Sequence, residues 1–152
     1  LHTEAGRALE VLRVGGGIGL DERPKQVEDD VRRALRGRLA VRARLIQRAR
    51  TYRYQRATAA RRIDPQVIID NELSSSYTVL EVRGPDSIGL LYRVTRAIAD
   101  LDLDIYTAKV QTIGDDVVDS FYVLDADGMK VDDDAYRREI ELAILTAINA
   151  DA

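Results

Sequence analysis

The sequence predicts an α+β fold, and three stretches carry that reading. A strand-like run at 78–83 halts at Gly84-Pro85-Asp86 and gives way to a helical pattern with Leu91, Val94, Ala97, Ile98 and Leu101 on one face. Runs 104–112 and 117–124 alternate apolar and polar residues and flank Asp115-Asp116, a turn signal between two half-buried strands. A second helical stripe follows: Tyr136, Ile140, Ala143, Ile144, Ala147 and Ile148.

The opening, Leu1-His2-Thr3, lacks an initiator Met and reads as a cut inside a longer protein. Ala5-Gly6-Arg7 predicts a turn and residues 8–14 a strand. Gly15-Gly16-Gly17-Ile18-Gly19 comes next and reads as a flexible connection. No Gly-Lys-Ser/Thr follows it, and neither the dinucleotide-binding spacing nor its downstream acid is present. Pro24 suits the first turn of a helix, with Glu28, Asp29 and Asp30 towards its positive end. Val27, Val31, Ala34, Leu35, Leu39, Leu45 and Ile46 form its apolar stripe. Only Gly37 interrupts the pattern, so one long helix running past Arg50 is expected. Ile63-Asp64-Pro65 ends it, because the residue before a proline is pushed out of the helical region.

The β-branched run 66–70 predicts a strand, residues 71–76 a turn, and residues 77–83 a strand running back. There Leu80 and Val82 share one face while Glu81 and Arg83 share the other. Asp86 or Ser87 is the expected N-cap of the following helix, since a short side-chain oxygen there accepts from free first-turn N–H groups. Gly89 removes a Cβ where a ligand would approach the backbone. Strand, tight turn and helix N-terminus together make a small pocket of backbone donors suited to a carboxylate or phosphate. In the run 104–112, Ala108 and Val110 fall on one face. Asp127-Gly128 marks another turn, and the ligand positions of a calcium loop do not follow Asp125. Asp132, Asp133 and Asp134 read as cap and dipole partners of the last helix.

Residues 3–14 align without a gap on residues 112–123, at a fixed offset of 109. Val27-Glu28-Asp29-Asp30 likewise echoes Val131-Asp132-Asp133-Asp134. The pattern reads as the second half of one module followed by a complete second module. Two strands and one helix bury too little apolar surface to offset their ordering entropy, so the Val27/Val31/Leu35 stripe needs cover from elsewhere.

Charge is segregated. Residues 24–62 hold 13 Lys and Arg against 3 acids, whereas the whole chain carries a net charge of −3. A solvated basic helix beside an acidic domain accounts for this. A nucleic-acid arm fits poorly, because Tyr52 and Tyr54 are the only stacking groups in the stretch. No apolar run reaches the length needed to span a bilayer, and without cysteine there is neither a disulfide framework nor thiolate chemistry. A cytoplasmic protein fits. No catalytic set emerges: the single histidine is His2, and no nucleophile sits in an activating motif.

The residues from 67 to 123 carry a resemblance. Asp70-Asn71-Glu72, Val79-Leu80-Glu81-Val82, Gly89-Leu90-Leu91-Tyr92, Leu101-Asp102-Leu103-Asp104-Ile105 and Val117-Val118-Asp119-Ser120-Phe121-Tyr122-Val123 resemble, in order and spacing, an ACT domain. More closely, they resemble the last ACT domain of the bifunctional PII uridylyltransferase/uridylyl-removing enzymes of bacterial nitrogen control. That family usually reads Asp-Arg-Pro-Gly-Leu-Leu at the loop, where this chain has Ser87 and Ile88 for the Arg and Pro. The resemblance implies a ferredoxin-like βαββαβ module at 65–152, preceded by the C-terminal half of a truncated ACT domain at 1–50 and a helical extension or linker at 51–64. With no strand after the last helix, residues 66–70 are expected to take the sheet edge beside 77–83, with both helices on one face. That is a permuted module.

By the same resemblance the ligand is glutamine or another amino acid. Its carboxylate would meet Ser87, Ile88, Gly89 and Leu90, and Asp86 or Asp104 would take its ammonium. No cofactor is expected in this chain, magnesium being implied only for catalytic domains that lie upstream in that family. The implied partners are those upstream domains, the PII protein through the full enzyme, and a second copy in a homodimer. Two other readings remain: a ligand-free dimerisation scaffold, or the ACT domain of another regulated enzyme such as an alarmone synthetase.

Overall fold

The computed structural model describes residues 2–4, 7–9, 23–53 and 63–150. Of the strand expected at 8–14 only residues 8 and 9 are described, and the rest of it, the glycine-rich connection at 15–19 and most of the 51–64 linker lie outside the described residues. The elements in chain order are β1 (His2–Glu4), β2 (Arg7–Leu9), α1 (Arg23–Leu35), α2 (Val41–Arg53), β3 (Gln66–Asp70), β4 (Thr78–Pro85), α3 (Leu90–Asp100), β5 (Asp104–Lys109), β6 (Thr112–Ile113), β7 (Asp116–Leu124) and α4 (Asp134–Asn149).

Every strand pairing described is antiparallel, in the order β2-β1-β5-β7-β4-β3, with β6 pairing β7 beside this path. Strand β3 runs against β4 at the edge, from Gln66↔Arg83 to Asp70↔Val79. This is the permuted, ferredoxin-like arrangement that the sequence predicts.

Period-two alternation builds the core. Leu80 and Val82 of β4, with Val117, Phe121 and Val123 of β7, are buried against Leu90, Val94 and Ile98 of α3 and Ile140, Ile144 and Ile148 of α4. The inner stripe of α3 is Leu90-Val94-Ile98, at i, i+4, i+8. The expected leader of that stripe, Leu91, is instead 41% exposed. Leu90 lies two turns before Ile98 on the face that Val94 also shares, whereas Leu91 stands about 100° round the helix from Leu90.

A polar latch closes one end of the sheet. The buried Thr78 hydroxyl donates to Asn71 Oδ1 at 2.7 Å and accepts from the Val131 N–H at 2.8 Å. Asn71 also donates to the Val131 carbonyl at 3.0 Å. Asp133 caps α4, accepting from the N–H groups of Ala135 and Tyr136 at 2.6 and 2.9 Å, as expected of that acidic run. Asp132 turns instead to Asn71 and Arg137. Asp125 organises its own loop by accepting from Asp127 and Met129 N–H groups.

Two expectations need correction. The long helix is two helices. Gly37 takes φ +65°, its N–H bonds the Ala34 carbonyl at 2.9 Å, and the Arg38 N–H bonds the Arg33 carbonyl at 2.7 Å. That pair of bonds ends a helix around a left-handed residue, which glycine adopts at least strain. Glu28 and Asp30, expected near the positive end of α1, lie beyond its first turn and form ion pairs. Glu28 meets Arg32 at 2.6 Å, and Asp30 meets Arg33 and, across the break, Arg44 at 3.2 Å. Secondly, the run 104–112 is not one strand. It ends at Lys109, and Val110 and Gln111 separate it from β6, leaving Val110 53% exposed. The turn that follows centres on Gly114 and Asp115, since Ile113 pairs Asp116.

The 109-residue offset has a structural counterpart. Thr3↔Ala8 and Glu4↔Arg7 pair in the β1–β2 hairpin, while Thr112↔Val117 and Ile113↔Asp116 pair in the β6–β7 hairpin. These two of the three β1–β2 pairs become the two β6–β7 pairs on adding the offset. Val27 to Asp30, however, lies inside α1, whereas Val131 to Asp134 leads into α4.

Candidate functional site

Strand β4 leaves the sheet at Pro85, paired with Asp116, and delivers the loop 86–89 to the first turn of α3. The Asp86 N–H donates to the Asp115 carbonyl at 2.8 Å, which ties the loop to the β6–β7 turn. Gly89 stands at the N-cap position with φ +82°, and no side chain caps the helix. Asp86 and Ser87 therefore do not perform the capping role expected of them. A side chain at 89 would meet Leu45 and Arg93 atoms no closer than 3.6 Å, an ordinary contact. Glycine is required here by its backbone conformation rather than by lack of room.

With no side-chain cap, the start of α3 keeps its donors. Among the described residues no acceptor meets the N–H groups of Ser87, Ile88 and Gly89, while the Ser87 carbonyl accepts from Leu90 at 3.1 Å. Arg93 braces the loop from behind. Its guanidinium donates to Ser87 Oγ at 3.0 Å, to the Ile88 carbonyl at 3.3 Å and to the Ala147 carbonyl of α4 at 2.8 Å. The serine that departs from the family pattern thus accepts a bond from an arginine one turn into the helix.

An open pocket of about 260 Å³ lies against this corner, lined among others by Leu45, Asp86, Ser87, Gly89, Leu90 and Asp119. Its size falls just below the range of drug-sized ligand sites and suits a small metabolite. Asp119 is the group that sequence reasoning missed. It is 2% exposed and accepts from the Gln111 N–H at 3.1 Å. Burial pushes its carboxyl above the usual carboxylate range, the Gln111 bond pulls it back, and the charge of Asp86 pushes it up again. The signal was in the alternation. Val117, Asp119, Phe121 and Val123 share the inward face of β7, so a carboxylate stands in a slot that its neighbours fill with apolar side chains.

Ser87, Gly89, Leu90 and Asp86 come together at the pocket, and Ile88 lies in the same loop. Asp104 does not join them. It pairs Leu124, at the opposite end of β7 from Asp116, which the loop follows. Eight residues of strand separate the two ends, roughly 26 Å at the usual rise. Asp104 is therefore remote from the pocket, whereas Asp119 lines it.

A family model described as ACR9-like, ACT-like domain matches residues 66–149. The chain belongs to the ACT-like family. The ACT-like chain is 39% identical over 147 residues to a bifunctional uridylyltransferase/uridylyl-removing enzyme of Rhodospirillum rubrum, which covers 94% of this chain and 16% of that protein. It is 44% identical over 91 residues to the enzyme of the same name from Phenylobacterium zucineum, covering 60% of this chain and 10% of that one. The ACT-like chain thus spans about a sixth or less of the length of the curated relatives it matches. A crystal structure of an unknown protein from Galdieria sulphuraria shares 21% identity over 43% of this chain and 36% of that one, with a TM-score of 0.35. Among the described residues, no helix of the ACT-like chain is long and apolar enough to cross a membrane.

Proposed function

We propose that this chain is the amino-acid-sensing region of a PII uridylyltransferase/uridylyl-removing enzyme, that its ligand is glutamine, and that it acts in the cytoplasm by switching catalytic domains carried elsewhere in the full protein. The observation that carries the reading is that one small pocket gathers opposite chemistries. Ser87 and Gly89, with Ile88 in the same loop, supply backbone donors at the positive end of α3. Asp86 and the buried Asp119 bring carboxyls to the same lining. A free α-amino acid presents a carboxylate and an ammonium a few ångströms apart and satisfies both. Its ammonium would also offset the penalty that burial places on the Asp119 charge, since a nearby positive charge favours the ionised form.

Calorimetry of the chain against the twenty amino acids tests this. Glutamine is expected to bind. Glutamate is expected to bind less well, its extra charge facing Asp86 and Asp119. Asp119→Asn is expected to abolish the response while leaving the fold intact. The second reading, a ligand-free scaffold that pairs in a homodimer, is favoured by one observation: Leu45 of α2 already rests on Gly89. Silence towards all twenty amino acids would establish that reading instead.

A further inference from the structure

Helix α2 is not part of the core that holds the sheet and α3–α4 together, yet it reaches the pocket. Val41, Leu45 and Ala49 recur every four residues along it and are all partly buried, whereas Arg42, Arg44, Arg48 and Arg50 are exposed. Leu45 is the residue that touches the loop. Its Cβ and Cδ1 lie 3.6 Å from where a Cβ on Gly89 would stand, and its side chain forms one wall of the pocket beside Asp86 and Asp119. The side chain therefore stands against the uncapped helix start to which a carboxylate would be drawn. None of the apolar residues that close the main core lies on α2. Release of α2 would therefore leave that core's own apolar contacts in place.

We propose that Leu45 is an internal plug: α2 competes with the ligand for the Gly89 corner, and ligand entry releases α2 from the module. This rests on the reading of the pocket as an amino-acid site and adds the way occupancy leaves it. The signal is the freedom of α2, which lies in the segment between the β1–β2 hairpin and β3. A state in which the pocket is plugged lowers the apparent affinity by the fraction of molecules that are open.

Removing the plug strengthens binding. Leu45→Ala is expected to bind glutamine about tenfold more tightly than the parent, the factor that corresponds to ~1.4 kcal/mol, which is the order expected for half-burying a leucine side chain. The chain has no cysteine. Spin labels at Arg48→Cys on α2 and Glu141→Cys on the exposed face of α4 thus report the separation of the two helices by pulsed electron resonance. Glutamine is expected to lengthen and broaden that distance. Equal affinities for parent and Leu45→Ala would overturn the plug while leaving the glutamine site standing. Loss of binding in Leu45→Ala would overturn it too, making Leu45 a ligand contact. Binding by neither protein would remove the amino-acid reading and the plug together, whatever the labels report.

Discussion

Asp119 links stability to function at a single residue. A buried carboxyl raised above its usual range holds its proton longer in the folded chain than in the unfolded one. Stability from this group is therefore greatest below the ordinary carboxylate range and is lost as pH rises through the raised value. Asp119→Asn is expected to raise the melting temperature of the ligand-free chain at neutral pH by a few degrees and to abolish stabilisation by glutamine, both read in one thermal-shift series. Asp133 titrates with the opposite sign. Its bonds from the Tyr136 and Ala135 N–H groups hold it below the usual range, so its contribution is present at neutral pH and is lost as pH falls through that lowered value. Asp133→Ala is expected to lower the melting temperature at pH 7 and to shrink the difference between parent and variant at the acid end. Both residues were legible in the sequence, but unequally. The cap follows from acids placed just before an apolar helical stripe. Asp119 was quoted only as part of a family motif, and its inward slot becomes visible once the alternation of β7 is counted past the valines.

The individual elements show where pattern reading works and where it slips. β4, β7 and α4 follow from alternation and helical spacing, because each has one strongly buried face, and β3, only partly buried, follows from its β-branched run. α3 shifts by one residue at its start, since Leu90 and Leu91 are both apolar and Leu90 is the one in line with Val94 and Ile98. The break at Gly37 also carries a sequence signal, glycine two positions beyond a helix end. The apolar stripe hides it, because Leu39 and Leu45 continue the count. The Thr78 latch had no sequence signal at all, as it depends on Asn71 and Val131 arriving from distant positions. Thr78→Val keeps the shape, removes the hydroxyl and leaves the Val131 N–H unpaired in a buried place. The expected loss is about 1–3 kcal/mol by chemical denaturation. Ile144→Ala, deep between α4 and the sheet, is expected to cost about 2–5 kcal/mol in the same assay.

Across the whole molecule, order is unevenly shared. The apolar stripe of α1 remains open, with Val27 55%, Val31 51% and Leu35 84% exposed. A fragment of residues 1–62 is accordingly expected to show no cooperative unfolding transition, whereas 63–152 is expected to melt as a unit. If the pocket binds glutamine, ligand at 100 times its dissociation constant adds roughly 2.7 kcal/mol to the second fragment. That corresponds to a rise on the order of 10 °C for a domain of this size.

The β1–β2 hairpin pairs with β5 at His2↔Thr107, and so stands at the side of β5 that carries a row of backbone donors and acceptors. Such a row, once bare, templates any strand that reaches it, including the same strand of another molecule. The hairpin thus acts as a guard against self-recruitment. A chain shortened by its first nine residues would lose that guard, and its sedimentation profile should shift from the parent's towards larger, concentration-dependent species.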